Sequence, residues 1–246
     1  MKKCVTILFV FLVLFSCSKD NDNDNEQPDV SGFWIITENI TGNCGGDDYT
    51  EQEIEIIEIE QSGINLIYTT YPEGKMLEGT IVGITITMEG EFSNGGTASI
   101  ISFSGTINNT ETIFNGNADW EEYSNDYNCS GTAVVSGEKA AENDEDYSGT
   151  WMGNWFSEEY GLNGSFTVNV NQTGHTLSGT ISVPEISMSG AVLQGEVHGN
   201  VVYFGDINGI IKFAGTIDNN FSSGTYTYPV YGDEGTWTAD RLTNNN

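Results

Sequence analysis

Between residues 147 and 242 apolar and polar positions alternate in short bursts, and the bursts are separated by turn residues. Val168-Asn169-Val170-Asn171 is a period-two strand that runs into Gln172-Thr173-Gly174. The same reading predicts strands over Gly149–Ser157, Ser165–Asn171, Leu177–Val183, Ser187–Glu196, Val201–Asp206, Ile210–Ile217, Ser222–Tyr228 and Gly235–Arg241. Turn signals such as Asp218-Asn219-Asn220 lie between them. No stretch carries the 3.6-residue period of an amphipathic helix, so the pattern predicts an all-β antiparallel sandwich or barrel.

The pattern is stated twice. Ser31-Gly32-Phe33-Trp34 returns as Ser148-Gly149-Thr150-Trp151. Leu77-Glu78-Gly79-Thr80-Ile81-Val82-Gly83 parallels Leu193-Gln194-Gly195-Glu196-Val197-His198-Gly199, and Phe103-Ser104-Gly105-Thr106-Ile107 parallels Phe213-Ala214-Gly215-Thr216-Ile217. Each copy closes on Gly-Thr, an alternating strand and a basic residue, Lys139 in the first and Arg241 in the second. The order is kept throughout, which marks an internal duplication. One segment is ambiguous, since Glu51 to Glu60 is rich in helix-forming Glu and its Ile54 and Ile57 lie three apart. Its counterpart, Val168 to Gly174, is a strand, so Ile57 to Gly63 is expected to be one too. A phase slip at Ile56-Ile57 then predicts a bulge. The units are expected to span residues 31–139 and 147–242, with a charged linker over 140–146 and a polar tail over 243–246.

The first thirty residues follow another logic. Lys2 and Lys3 precede an apolar run from Val5 to Phe15. At about 1.5 Å per residue the run spans roughly 16 Å as a helix, too short for a bilayer core of about 30 Å, but right for a secretory h-region. It ends at Leu14-Phe15-Ser16-Cys17, which resembles a bacterial lipobox. The resemblance implies a signal peptide over 1–16 and lipid on Cys17, with several acyl chains giving a stable anchor. Residues 17–30 form an acidic tether, and its Ser18 to Glu26 run resembles the export signal of Bacteroidota-type surface lipoproteins. That implies the outer membrane, facing the cell surface; a plain spacer facing the periplasm is the alternative. An EF-hand over Asp20, Asp22 and Asp24 fails, because the sixth and twelfth positions hold Asn25 and Ser31.

Charge narrows the partners. Seven Lys+Arg against thirty-six Asp+Glu give a formal net charge of -29. That excludes nucleic acid and charge-driven adhesion to anionic lipid, leaving the lipid anchor as the membrane contact. Of the four Cys, Cys4 leaves with the signal and Cys17 carries lipid, so Cys44 and Cys129 remain as an exported pair expected to form a disulfide. Cys44 follows the first strand of unit one and Cys129 precedes its last. In an eight-stranded up-and-down barrel those ends lie side by side, so the pair favours closure.

Gly-x-Trp in a first strand, with a basic residue ending the last, resembles the lipocalin and avidin superfamily. The resemblance implies two tandem, about eight-stranded barrels. It also implies that Trp34 and Trp151 plug one end of each, with Lys139 and Arg241 lying over them. The order of basic residue and Gly-Thr fits less closely in unit one, where Lys139 falls two residues later relative to Gly131.

No catalytic motif stands out: there is no nucleophile elbow, His-Glu-x-x-His, phosphate loop or Cys/His metal set. Carboxylates are abundant enough to hold a glycosidase pair, but most sit at alternating polar positions or in loops. His175 and His198 fall in predicted turns, as solvated residues. The chain thus reads as non-catalytic and without a cofactor. Two functions fit. Each barrel binds a small amphipathic or glycan ligand at the mouth opposite its Trp, with Tyr203, Tyr226, Tyr228, Tyr231 and Trp237 as candidate lining residues in unit two. Alternatively the barrels are filled, and the protein is a spacer or interaction module. A cavity with convergent polar groups would favour the first and an interior of large apolar residues the second.

Overall fold

The computed structural model describes residues 27–242 except 73, 95–96, 124–127, 141–144 and 158, and the backbone alone for 92–94 and 97–98. The signal segment, Cys17, most of the tether and linker, and the tail lie outside the described residues.

Among the described residues sixteen strands follow one another. The first eight are β1 (Gly32–Cys44), β2 (Asp47–Ser62), β3 (Asn65–Tyr71), β4 (Met76–Val82), β5 (Thr85–Asn94), β6 (Thr97–Ile107), β7 (Ile113–Tyr123) and β8 (Asn128–Lys139). The second eight are β9 (Gly149–Ser157), β10 (Asn163–Thr173), β11 (Thr176–Val183), β12 (Met188–His198), β13 (Val201–Asp206), β14 (Lys212–Asp218), β15 (Phe221–Tyr228) and β16 (Asp233–Arg241). Each set pairs antiparallel with its sequence neighbours and closes on itself, β8 on β1 and β16 on β9. The result is two closed up-and-down barrels, so neither sheet leaves an unpaired edge. Among the described residues no helix is long and apolar enough to cross a membrane.

All eight strands expected in the second unit form. The exception to Ser187–Glu196 is at its start, where a 3₁₀ turn, Pro184–Ile186, ends on Ser187 with a left-handed φ of 57°. The bulge expected at Ile56-Ile57 is absent. β2 pairs with β1 without interruption from Gly32↔Ile59 to Cys44↔Asp47. What changes at that point is the chemistry of each face and not the backbone. Ile57 and Ile59 point inward, whereas Ile56 points outward into the contact between barrels. Below them Glu51, Glu53 and Glu55 occupy inward positions.

Each barrel has its own core. Trp34, Ile57, Phe103 and Phe114 anchor the first, and Trp151, Phe166, Phe213 and Trp237 the second. A third cluster joins them, with Phe33 and Ile56 of barrel 1 packed near Val201 and Ala214 of barrel 2. Tyr71 and Tyr203 stack there at 4.5 Å, and Phe33 stacks on His198 at 4.2 Å.

Candidate functional site

The two units repeat in detail at the end where each chain enters its barrel. Trp34 Nε1 donates to Val30 O at 2.8 Å, and Trp151 Nε1 donates to Tyr147 O at 3.0 Å. Gln61 accepts from Val30 N and donates to Pro28 O, while Gln172 accepts from Tyr147 N and donates to Glu145 O. The basic residues close the same end. Lys139 pairs opposite Trp34, with Nζ 5.8 Å from the ring, and donates to Asp29 O. Arg241 pairs opposite Trp151 and donates to Asp146 O and Ser148 O. The guanidinium passes so close to Gly149 (φ +139°) that a Cβ there would lie 3.2 Å from Arg241 Nε. These ends are sealed, so access is from the other end.

The open ends differ. Barrel 1 encloses a cavity of about 240 Å³. Its floor is apolar, with Ile36, Leu77, Met88 and Phe114, and its wall carries Glu38, Glu51, Glu53 and Glu55, with Lys75 at the edge. Glu38 and Glu53 face each other across the β1–β2 register. Burial, together with Glu53, pushes the Glu38 carboxyl up to about 7, and Lys75 only partly opposes this. Tyr68 donates to Glu55 Oε2 at 3.4 Å. Near the rim the Trp120 indole crosses two glycines, where a Cβ would come within 2.5 Å (Gly42) or 2.8 Å (Gly131) of the ring. At this end Cys44 and Cys129 pair directly across the closing β1–β8 seam and are joined by a disulfide, as the Cys pattern predicts.

Barrel 2 is filled. The void among Phe166, Phe204, Trp237 and their neighbours measures about 30 Å³, room for a water or so. Trp237 donates its indole N–H to Thr225 O at 2.8 Å, and Phe166, Phe204 and Phe213 pack around it. Above this plug the mouth widens into a cleft of about 660 Å³ lined by Trp155, Tyr160, Tyr226, Tyr228, Tyr231 and Asp233, among others. Asp233 accepts from Ser157 Oγ at 2.6 Å and from Tyr226 OH at 2.9 Å.

The five expected lining residues therefore separate. Tyr226, Tyr228 and Tyr231 meet at the barrel 2 mouth. Trp237 is core, and its indole helps close the interior it was expected to line. Tyr203 faces outward, between Phe33 and Tyr71 in the contact between barrels. Burial, then a bond to Glu196, raises the Tyr203 hydroxyl pKa. His198 is also not a solvated turn residue. It ends β12, stacks between Phe33 and His175 and pairs with Glu196 at 2.9 Å. The glutamate wall of barrel 1 was missed, because alternating Glu and Ile reads by default as apolar-in. Among the described residues no group of His, Cys, Asp or Glu is arranged to hold a metal. Two buried indole N–H groups, on Trp120 and Trp155, have no hydrogen-bond partner, and both residues line open ends.

No family model and no curated protein matches this chain. Among solved structures it is similar to the crystal structure of isotype 1 transferrin binding protein B from serogroup B Neisseria meningitidis. The two share 9% identity at a TM-score of 0.30, over 80% of this chain and 61% of that one. The chain thus spans less than two thirds of that protein, and so distant a likeness carries no inference about this one.

Proposed function

We propose that this is a non-catalytic lipoprotein, anchored through Cys17 and exposed at the cell surface, whose first barrel binds a small amphipathic ligand. The observation that carries this reading is the polarity gradient inside barrel 1, an apolar floor beneath a wall of carboxylates in an open cavity of about 240 Å³. That volume sits just below the roughly 300–1,000 Å³ of drug-sized sites. An alkyl or aryl body fits the floor. A cationic head at the level of Glu38 and Glu53 offsets the burial and, after it, the like charge of Glu53 that keep Glu38 hard to ionise. The packed interior of barrel 2 suits a structural role for that interior.

Two measurements test the reading. Cys17→Ala should move the protein from the membrane to the soluble fraction; retention in the membrane would refute lipidation. Calorimetric titration of the full chain should detect octylammonium but not octyl sulfate, with binding lost in Val135→Trp, which fills the cavity, and weakened about tenfold in Glu38→Gln. Failure of both probes to bind, or equal affinity for the two, rejects the cavity reading.

A further inference from the structure

The mouth of barrel 2 is a cleft distinct from any barrel interior, because the interior beneath it is packed. We infer that this cleft binds a neutral saccharide, with sugar faces against Tyr228 and Tyr231 and hydroxyls on Trp155 and Asp233.

The argument rests on which hydrogen bonds the cleft leaves to be made. Trp155 is only 9% exposed and its indole N–H has no partner. A buried donor with no acceptor has lost its water partner and gained nothing in return. Asp233 offers the opposite need. Its two oxygens take the hydroxyls of Ser157 and Tyr226, which fixes the carboxylate while leaving lone pairs free to accept more. Around this polar floor stand exposed aromatic faces. Tyr231 is 67% exposed and Tyr160 52%, and the Tyr228 and Tyr231 rings lie 4.9 Å apart. Large apolar faces left in water mark an interaction surface.

Several ligand classes satisfy only part of this set. A cation suits the tyrosines and Asp233 but brings no acceptor to Trp155. An anion suits Trp155 but meets Asp233 and Glu185, whose carboxylate already accepts from Ser165 N. An aliphatic chain satisfies neither polar group. An extended peptide carries both donor and acceptor, but it is recognised most readily by adding to a sheet edge, and both sheets are closed. A sugar ring brings hydroxyls that donate and accept together, and a C–H face that packs on aromatic rings. The charge of the protein, -29, opposes anionic polysaccharides and leaves neutral ones.

The test uses the full chain and a panel of neutral oligosaccharides (gluco-, manno-, galacto- and xylo-hexasaccharides), followed by calorimetry and tryptophan fluorescence. At least one is expected to bind. Tyr231→Ala should weaken that binding about tenfold, and so should Trp155→Phe, which keeps the ring and removes the donor. Octylammonium binding in barrel 1 should be unchanged in both variants, so the two sites fail or stand separately. Tyr231 is exposed, so its variant reports on the site even if Trp155→Phe unfolds. No binding across the panel overturns the inference, as does binding that neither variant weakens, or displacement by a random peptide library in place of the sugar.

Discussion

The two barrels share one backbone plan and have opposite interiors, and the register shows where they diverge. Two residues inward from the plug, Ile36 faces Glu55 in barrel 1, whereas Gly153 faces Phe166 in barrel 2. Two further on, Glu38 lies between Glu53 and Val135, while Trp155 lies between Gly164 and Trp237. Exchanging a few inward side chains thus turns an aromatic plug into a polar chamber without moving a strand. Barrel 1 also reaches further past its plug, with β1 of 13 residues and β2 of 16 against 9 and 11 for β9 and β10. Its lip carries one aromatic pair, Tyr49 and Trp120 with rings 6.0 Å apart, and that is where the disulfide lies. Both barrels are held by packed cores, and barrel 1 adds a covalent seam.

The largest effect expected from this contrast follows loss of the seam. Cys44→Ser with Cys129→Ser opens a loop of 85 residues, worth about 4.5 kcal/mol in the chain-entropy picture. Scanning calorimetry should show barrel 1 melting far earlier while barrel 2 holds; an equal drop in both would mean that the barrels unfold as one unit. Next comes Trp237→Ala, which hollows barrel 2 toward the pattern of barrel 1 at a cost of about 3–5 kcal/mol. Chemical denaturation should place that loss in the barrel 2 transition, and a change below about 1 kcal/mol would show that the indole is not structural.

The smallest effect is a pH dependence confined to barrel 1. Glu38 holds its proton more tightly when folded, its carboxyl pushed from 4.5 up to about 7. Between those values the folded state binds more protons than the unfolded one, so stability falls as pH rises from 4.5 toward 7 and levels off above. Glu38→Gln should flatten that slope in urea melts while changing stability at pH 4.5 by about 1 kcal/mol or less. A slope that survives the substitution assigns the proton elsewhere.

Much of this was legible in the sequence because it depends on local rules. Period-two alternation between turn residues gives strands, eight of them in unit two, and the Gly-x-Trp and basic termini repeated in unit one extend the same barrel to both. The Cys44–Cys129 bond followed from the two Cys left once Cys4 goes to the signal and Cys17 to lipid, and their places beside the first and last strands pointed to closure. Alternation does not say which face is inside. Glu51, Glu53 and Glu55 read as solvated only if the interior is dry, and barrel 1 is open enough to keep carboxylates wet. Nor does a single unit's pattern show that a second barrel covers its outer face, so Phe33 and Ile56 are buried, and Tyr203 and His198 half-buried, outside either core. The strands, the duplication and the closing seam are readable along the chain, since each is carried by residues near in sequence or by a unique pair. Which barrel is hollow emerges with the assembled fold. That depends on the summed volume of inward side chains from eight strands, which no stretch of chain contains.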